Sequence, residues 1–411
     1  LETTSSFGVL ARPQVRRWVA ARFCSGTGVS MLRTTALWNV YDATGSLATV
    51  GLLGLVTFLP APLLSLGGGV MADRADRKRI VLFAQAVELA CAVGFAVASA
   101  RGALTTALLF VLYTLNGGAI AFESPARQAV LPSLVPREDL RRAVTVMSTA
   151  HALAFVSGPA VAGLFLATGG ATSAYGCAAA LLTIAWSFVA RVAVPESVRA
   201  SEQASALGSL LEGFRFLRRS PIVLAAMTLD LFAVIFGGAT AMLPVYAKDI
   251  LAVGPRGYGL LSAALDVGAV AMSLLLLFLP PVQRLGRTVV LGVVGYGAAT
   301  IVFGLSRTFE LSLAAYVAVG FFDQLSVVGR SALVQLSTPD ELRGRVSSVN
   351  TVFILASNQL TLAESGFLAA MTSPTFSVVF GGVVVFVVTG VVLLVVPALL
   401  RAQQPADERS S

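Results

Sequence analysis

Seven ionisable side chains fall inside long apolar runs of this 411-residue sequence: Arg33, Glu88, His151, Asp230, Asp266, Asp323 and Glu364. Such groups are costly in hydrocarbon and face one another or a water-filled cavity. A carboxylic acid in a low-dielectric setting favours its neutral form, whereas a neighbouring arginine favours the ionised one. An acid held between those influences can take up a proton in one conformation and release it in another. Asp323 and Asp230 are the first candidates for that chemistry, with Glu364 and Asp266 next; the competing reading of each is a static inter-helix pair or a cap. Arg33 suits attraction of an anion. His151 is the only histidine, and imidazoles ordinarily titrate near neutrality. Lying shortly before Gly158, it equally suits a hydrogen bond near one membrane interface. Glu88 has a similar standing, and Glu123 ends its run.

The elements that must hold these groups are membrane helices. The sequence is 56% hydrophobic and 12% charged, about half the charge of an ordinary soluble domain. Apolar runs occupy residues 17–40, 46–71, 79–100, 103–123, 143–168, 171–194, 221–247, 257–282, 288–306, 309–329, 346–371 and 374–400. A span needs about 20 apolar residues, and backbone groups in lipid must be satisfied internally, so twelve helices are expected rather than barrel strands. The first run lacks a cleavage pattern and is flanked by arginines, as a retained helix would be. Cys24, Cys91 and Cys177 sit inside runs at unrelated spacings and read as small packing residues, neither disulfide framework nor metal site.

The formal charge of +8 is a topology signal. On one set of alternate connectors the only basic residues are Arg101, Lys248, Arg256 and Arg307; apart from intramembrane Arg33, the rest of the 29 collect on the other set. The positive-inside rule places that set, and with it both termini, in the cytoplasm. Nucleic acid is therefore not an expected partner. No phosphate-cradling G-x-x-x-x-G-K-[ST] is present, and one histidine cannot form a histidine metal pair. Neither an enzyme nor a cofactor is expected, and ATP is not the expected energy source.

The chain also repeats itself. "ARQAVLPSLVPREDL" (126–140) is echoed by "GRSALVQLSTPDEL" (329–342), with Arg127, Ala129, Pro136 and Glu138 recurring as Arg330, Ala332, Pro339 and Glu341 at one offset. Both stretches read as polar connectors after the fourth and tenth runs. A period of six helices implies two similarly oriented bundles, an arrangement known among secondary transporters. The expected divisions are a first bundle over 1–194, a linker over 195–220, a second bundle over 221–400 and a tail over 401–411. In the linker, Leu207, Leu210, Leu211, Phe214 and Leu217 keep helical spacing beside Arg215, Arg218 and Arg219. That pattern suits an amphipathic helix on the inner membrane face, in contact with lipid.

"GGGVMADRADRKRI" (67–80) resembles the signature loop between the second and third helices of the major facilitator superfamily. Gly69, Asp73, Arg74, Arg77 and Lys78 match, and Asp76 replaces the usual glycine. A carboxylate such as Asp73 suits capping of a nearby helix. "AFVSGPAVAG" (154–163) is similar to the exporter-associated motif of the fifth helix; Gly158, Pro159 and Gly163 match, while Ala154 and Ala162 replace glycines. Small residues permit close helix contact, and proline bends a helix. The doubled connector, "RGRVSSVN" (343–350), "SNQLTLAESG" (357–366) and "WNVYDATGS" (38–46) narrow the resemblance to the branch with bacterial enterobactin exporters and macrolide efflux pumps.

The resemblance covers almost the whole chain. It implies a twelve-helix, two-bundle fold in the bacterial inner membrane, expected to work as a monomer. It also implies export of an amphipathic small molecule, a siderophore or a drug, by alternating access driven by a proton gradient. In that fold the first, fourth, seventh and tenth helices line the path, which favours Arg33, Asp230 and Asp323 as cavity residues with Asn116 and Gln324 beside them. One departure stands out: drug antiporters often carry an arginine where this chain has Tyr113, so coupling through that arginine is not implied. Two alternatives remain at this level. One is uptake or facilitated diffusion of a nutrient; the other is a receptor or scaffold, for which the short loops leave no large soluble domain.

Overall fold

An apolar chain that must satisfy every backbone N–H and C=O within itself folds as helices, and every regular element among the described residues is helical. The computed structural model describes residues 6–58, 64, 71, 76–194, 206–280, 282–339 and 342–402. The helices are α1 (Pro13–Thr44), α2 (Leu47–Phe58), α3 (Arg77–Ala100), α4 (Thr106–Leu134), α5 and α6 within Leu140–Ala190, α7 (Ala206–Arg219), α8 (Pro221–Gly237), α9 (Gly254–Phe278), α10 (Leu285–Leu305), α11 (Phe309–Ser337), α12 (Arg343–Met371) and α13 (Pro374–Val395). Among the described residues, eight helical stretches are long and apolar enough to cross a membrane, Arg137–Ala190 and Pro221–Ile250 each counting as one.

The chain divides into two units. The first comprises Leu1–Thr49, Leu55–Gln203 and Ala252–Ala263; the second comprises Val50–Gly54, Ala204–Leu251 and Ala264–Ser411. In the first, α1 packs along α5 and α6. Small residues let the backbones approach: a Cβ on Gly26 would lie 2.9 Å from the Ala154 Cβ, and one on Gly28 3.2 Å from the Ala178 carbonyl. In the second, α9 meets α11 at Gly268 and Gly320, where a Cβ would strike the Val317 and Leu265 carbonyls. Helix association in lipid depends on such van der Waals fit rather than on a hydrophobic drive.

Helix boundaries depart from the hydropathy pattern in instructive ways. The doubled stretch is not mainly connector: α4 runs through Pro125 and Pro132 to Leu134, and α11 runs to Ser337. Ala126, Val130 and Leu131 are buried with Ile80, Val81 and Val146, while Gln128 and Pro132 are exposed. An amphipathic extension keeps its apolar side packed after the apolar run has ended. The turn after α4 is left to Val135 and Pro136.

Between α5 (140–169) and α6 (171–190) the chain reverses at Gly170, whose φ of 67° and ψ of −169° break the helix. A side chain there would be strained. Within 195–220 the described residues form α7, and protein takes part in holding it: Leu217 is fully buried, and Glu212 pairs with Arg345 at the start of α12. Backbones close in as well, since a Cβ on Gly213 would lie 2.6 Å from the Arg345 carbonyl oxygen. The side chains of Leu207, Leu210 and Leu211 lie outside the described residues.

The seventh apolar run is not one continuous helix. After α8 ends at Gly237, Gly238 and Ala239 are non-helical, and the chain resumes as a 3-10 turn (Thr240–Met242), a helical turn (Leu243–Val245) and a π-helix (Tyr246–Ile250). Carbonyls around the break are taken up by hydroxyls. Thr361 donates to the Val234 carbonyl (2.7 Å), Thr300 to that of Gly237 (3.3 Å) and Ser365 to that of Gly238 (3.0 Å). Non-helical backbone at membrane depth needs such partners.

Candidate functional site

The second unit gathers most of its intramembrane charge in one place. Asp230 on α8 lies 3.1 Å from the Arg330 guanidinium on α11, with side chains 11% and 3% exposed. Arg330 also donates to Asn350 on α12 at 2.6 Å, and its Nε has no hydrogen-bond partner among the described residues. Asp323, two helical turns before Arg330 on α11, lies within electrostatic reach of Asp230, Arg330 and Asp266. Tyr296 on α10 lies within electrostatic reach of Asp323 and Asp230. Three of the four candidate acids, Asp230, Asp266 and Asp323, are therefore electrostatic neighbours. Each helix contributes an apolar body that excludes water, so the charges act on one another with little screening.

Glu364 stands apart on α12. The Ser365 hydroxyl lies 3.1 Å from its carboxylate and 3.0 Å from the Gly238 carbonyl. One hydroxyl proton serves only one acceptor at a time, so Glu364 competes with the backbone at the α8 break. Gln324 is half-buried and makes no hydrogen bond to a described residue. Sequence reasoning missed Arg330 as a site residue, reading it as part of a connector. Its recurrence with Arg127 was the available signal. It also missed the break, which the paired glycines Gly237 and Gly238 announce.

The first unit holds a second polar set. Arg33 is an exposed residue between buried neighbours on α1, and Tyr113 on α4 lies within its electrostatic reach. Asn116, three residues further along the same side of α4, is buried with its Nδ2 lacking a partner among the described residues. Arg33, Tyr113 and Asn116 thus form one polar strip across α1 and α4. Deeper among α1, α3 and α5, Arg22 bonds His151 at 2.9 Å and lies within electrostatic reach of the buried Glu88. On α4, Glu123 is paired with Arg127 and accepts from Gln85 at 3.1 Å. Arg127 and Arg330, equivalent in the repeat, each hold a buried acid.

Of the signature loop, Gly69, Asp73 and Arg74 lie outside the described residues. Asp76, the residue that departs from the signature, caps α3 by accepting from the Lys78 and Arg79 amides at 2.9 and 3.4 Å. Arg77 donates to the Ala129 carbonyl of α4 (3.3 Å), and Lys78 to the Ala190 carbonyl that ends α6 (2.9 Å). These basic groups tie the start of α3 to two neighbouring helices. A cation at a helix C-terminus also meets the negative end of its dipole.

The α5 motif divides its contacts. A Cβ on Gly158 would lie 2.6 Å from the Ser30 Cβ of α1, whereas one on Gly163 would lie 2.6 Å from the Gly259 Cα of α9. Tyr258, adjacent to Gly259, donates to the Thr34 carbonyl at 2.9 Å and sits 5.1 Å from the Trp38 ring. The glycines therefore allow two different helices to pack on two different sides of α5.

Residues 4–411 match the family model described as transmembrane secretion effector. Enterobactin exporter EntS of Escherichia coli O1:K1 / APEC is 29% identical over 397 residues, covering 95% of this chain and 94% of that protein. EntS of Escherichia coli strain SMS-3-5 / SECEC is 29% identical over 404 residues, covering 97% and 95%. Among solved structures, a POT family transporter in complex with a thioalcohol-conjugated peptide superposes with a TM-score of 0.72 at 14% identity, covering 94% of this chain and 96% of that one. A bacterial homologue of the human lysosomal transporter Spinster, inward-facing and unoccupied, gives 0.71 at 13% identity, covering 96% and 99%. At these identities the likeness to solved structures is one of fold.

Proposed function

Because the chain belongs to the transmembrane secretion effector family of major facilitator superfamily transporters, we propose that it exports an amphipathic small molecule from the bacterial cytoplasm in exchange for protons. Its relatives named as enterobactin exporters favour a siderophore as that cargo, with amphipathic drugs as the second class. The cycle is one of alternating access. In this reading the chain crosses the inner membrane twelve times as a monomer surrounded by lipid, with both termini in the cytoplasm. Its two bundles occupy 1–194 and 221–400, joined by 195–220 and followed by a tail over 401–411.

The observation that carries proton exchange is the buried Asp230–Arg330 pair with Asp323 in its field. Two acids sharing one arginine need not both be ionised, because a proton on either one leaves the other to the guanidinium. Arg330 has a donor to spare in its Nε. Asp323 and Asp230 are the primary proton carriers, Asp266 tunes them electrostatically, and Glu364 links protonation to the break after α8. Arg33, Tyr113, Asn116 and Gln324 offer polar contacts to cargo, with Arg33 favouring anionic groups. Gly69, Asp73, Arg74, Arg77 and Lys78 act as the gating loop, and Gly158, Pro159 and Gly163 give α5 the close packing that an exporter's conformational change requires.

The test is efflux of a panel of macrolides, dyes and catecholate siderophores from cells making the chain, with and without a protonophore. Protonophore-sensitive loss of at least one compound is expected. No efflux of any compound, with the protein confirmed in the membrane, overturns export and redirects the same panel to uptake.

A further inference from the structure

Arg22 of α1 and His151 of α5 are in contact within the first unit, and Glu88 of α3 lies within electrostatic reach of Arg22. Arg22 Nη2 lies 2.9 Å from His151 Nδ1 and 3.4 Å from Nε2. A guanidinium only donates, so the imidazole nitrogen that it bonds is an acceptor and the ring is not doubly protonated. Glu88 is completely buried, and neither carboxylate oxygen has a hydrogen-bond partner among the described residues. It lies within electrostatic reach of Arg22. An acid so placed has its acceptor capacity empty next to a guanidinium committed elsewhere.

Other ionisable groups lie around these three: Arg127 lines one pocket with Arg22 and Gln85, and Cys24 is two residues from Arg22 on α1. On α3, Cys91 is the next titratable group along from Glu88. On α4, Glu123 is already matched by Arg127 and Gln85. On α5, Phe155 meets the imidazole edge-on at 4.5 Å and contributes no charge.

We propose that Arg22, Glu88 and His151 form a proton-binding site in the first unit, in which a proton arriving on His151 transfers Arg22 from the imidazole to Glu88. The incoming proton takes the Nδ1 lone pair that Arg22 now uses. The Arg22–His151 hydrogen bond is lost, the two cations repel, and the guanidinium finds the empty Glu88 oxygens. No covalent bond other than N–H forms. The change of partner is made by the Arg22 side chain. The site is separate from Asp230, Asp323 and Arg330 and shares with the proposed function only the proton as ligand.

The single histidine makes the test direct. The full chain, labelled with 15N-histidine and placed in lipid nanodiscs, gives one imidazole whose ring nitrogens are followed by NMR against pH. One titration is expected, with Nδ1 unprotonated at its alkaline end. Glu88→Gln removes the negative charge that would hold Arg22 and makes the ring about tenfold harder to protonate, while Arg22→Gln makes it easier. Glu88→Asp, which keeps a shorter carboxylate, falls between wild type and Glu88→Gln and serves where the Gln variant does not fold. A ring whose titration ignores these Glu88 variants, or that carries its proton on Nδ1 at the alkaline end, overturns the proposal. Efflux that is insensitive to protonophore, with this titration intact, overturns proton-driven export and leaves the site standing.

Discussion

The Arg330 guanidinium on α11 lies 3.1 Å from the Asp230 carboxylate on α8, both side chains almost entirely withdrawn from solvent. Removing one partner of such a pair leaves a bare buried charge, a loss of about 3–5 kcal/mol. Asp230→Ala or Arg330→Ala alone is expected to lower the unfolding temperature in nanodiscs strongly. The double variant Asp230→Ala with Arg330→Ala is expected to lose less than the sum of the two single losses, and a simple sum would show that the two groups are not coupled.

Asp323→Asn keeps shape and polarity but cannot exchange a proton. In proteoliposomes with an imposed pH gradient, it is expected to abolish gradient-driven transport while the protein remains folded by gel filtration. Undiminished proton-driven transport removes Asp323 from the coupling role.

Gly163 and Gly259 approach so closely that a Cβ on Gly163 would lie 2.6 Å from the Gly259 Cα. Gly163→Val is therefore expected to cost about 1–3 kcal/mol from overpacking and to impair transport. Gly176→Val, where a Cβ meets nothing within 4 Å, should behave as wild type in the same thermal scan. Equal stability of the two variants would refute a packing role for Gly163.

The two acids of the signature loop should separate by kind of effect. Asp76 caps α3, and Asp76→Ala is expected to cost about 1 kcal/mol of stability. Asp73→Asn is expected to slow turnover with little change in stability. Unchanged turnover in Asp73→Asn counts against gating by the loop.

Arg33 carries its charge exposed on an otherwise buried stretch of α1. Arg33→Gln is expected to weaken efflux of anionic siderophores more than that of cationic dyes. Equal loss across both classes would assign Arg33 to structure.

Much of this was legible from residue type and spacing. Charged residues in apolar runs are visible in any single window, as Asp230 and Asp323 show, and so is the small-residue motif around Gly158. Less was legible wherever a helix outlasts its apolar run. The stretch after Glu123 looks like a connector because Arg127 and Gln128 are polar, yet Ala126, Val130 and Leu131 bury one side and extend α4. Asp76, which departs from the signature, is the cap at the start of α3, and Asp73, expected to cap a nearby helix, lies outside the described residues.

The sequence by itself determined the membrane class, the helical mode of crossing, the repeat of one half by the other and the family, because each rests on hydropathy, charge bias or motif spacing along the chain. Only the tertiary structure decided the partners: Arg330 with Asp230 and Asn350, Arg22 with His151, Gly163 with Gly259, and Thr361, Thr300 and Ser365 with the carbonyls around the α8 break. The cost of burying a charge is a property of the residue and its medium. The group that offsets that cost is set by the rotation and depth of helices far apart in sequence, which no local pattern encodes.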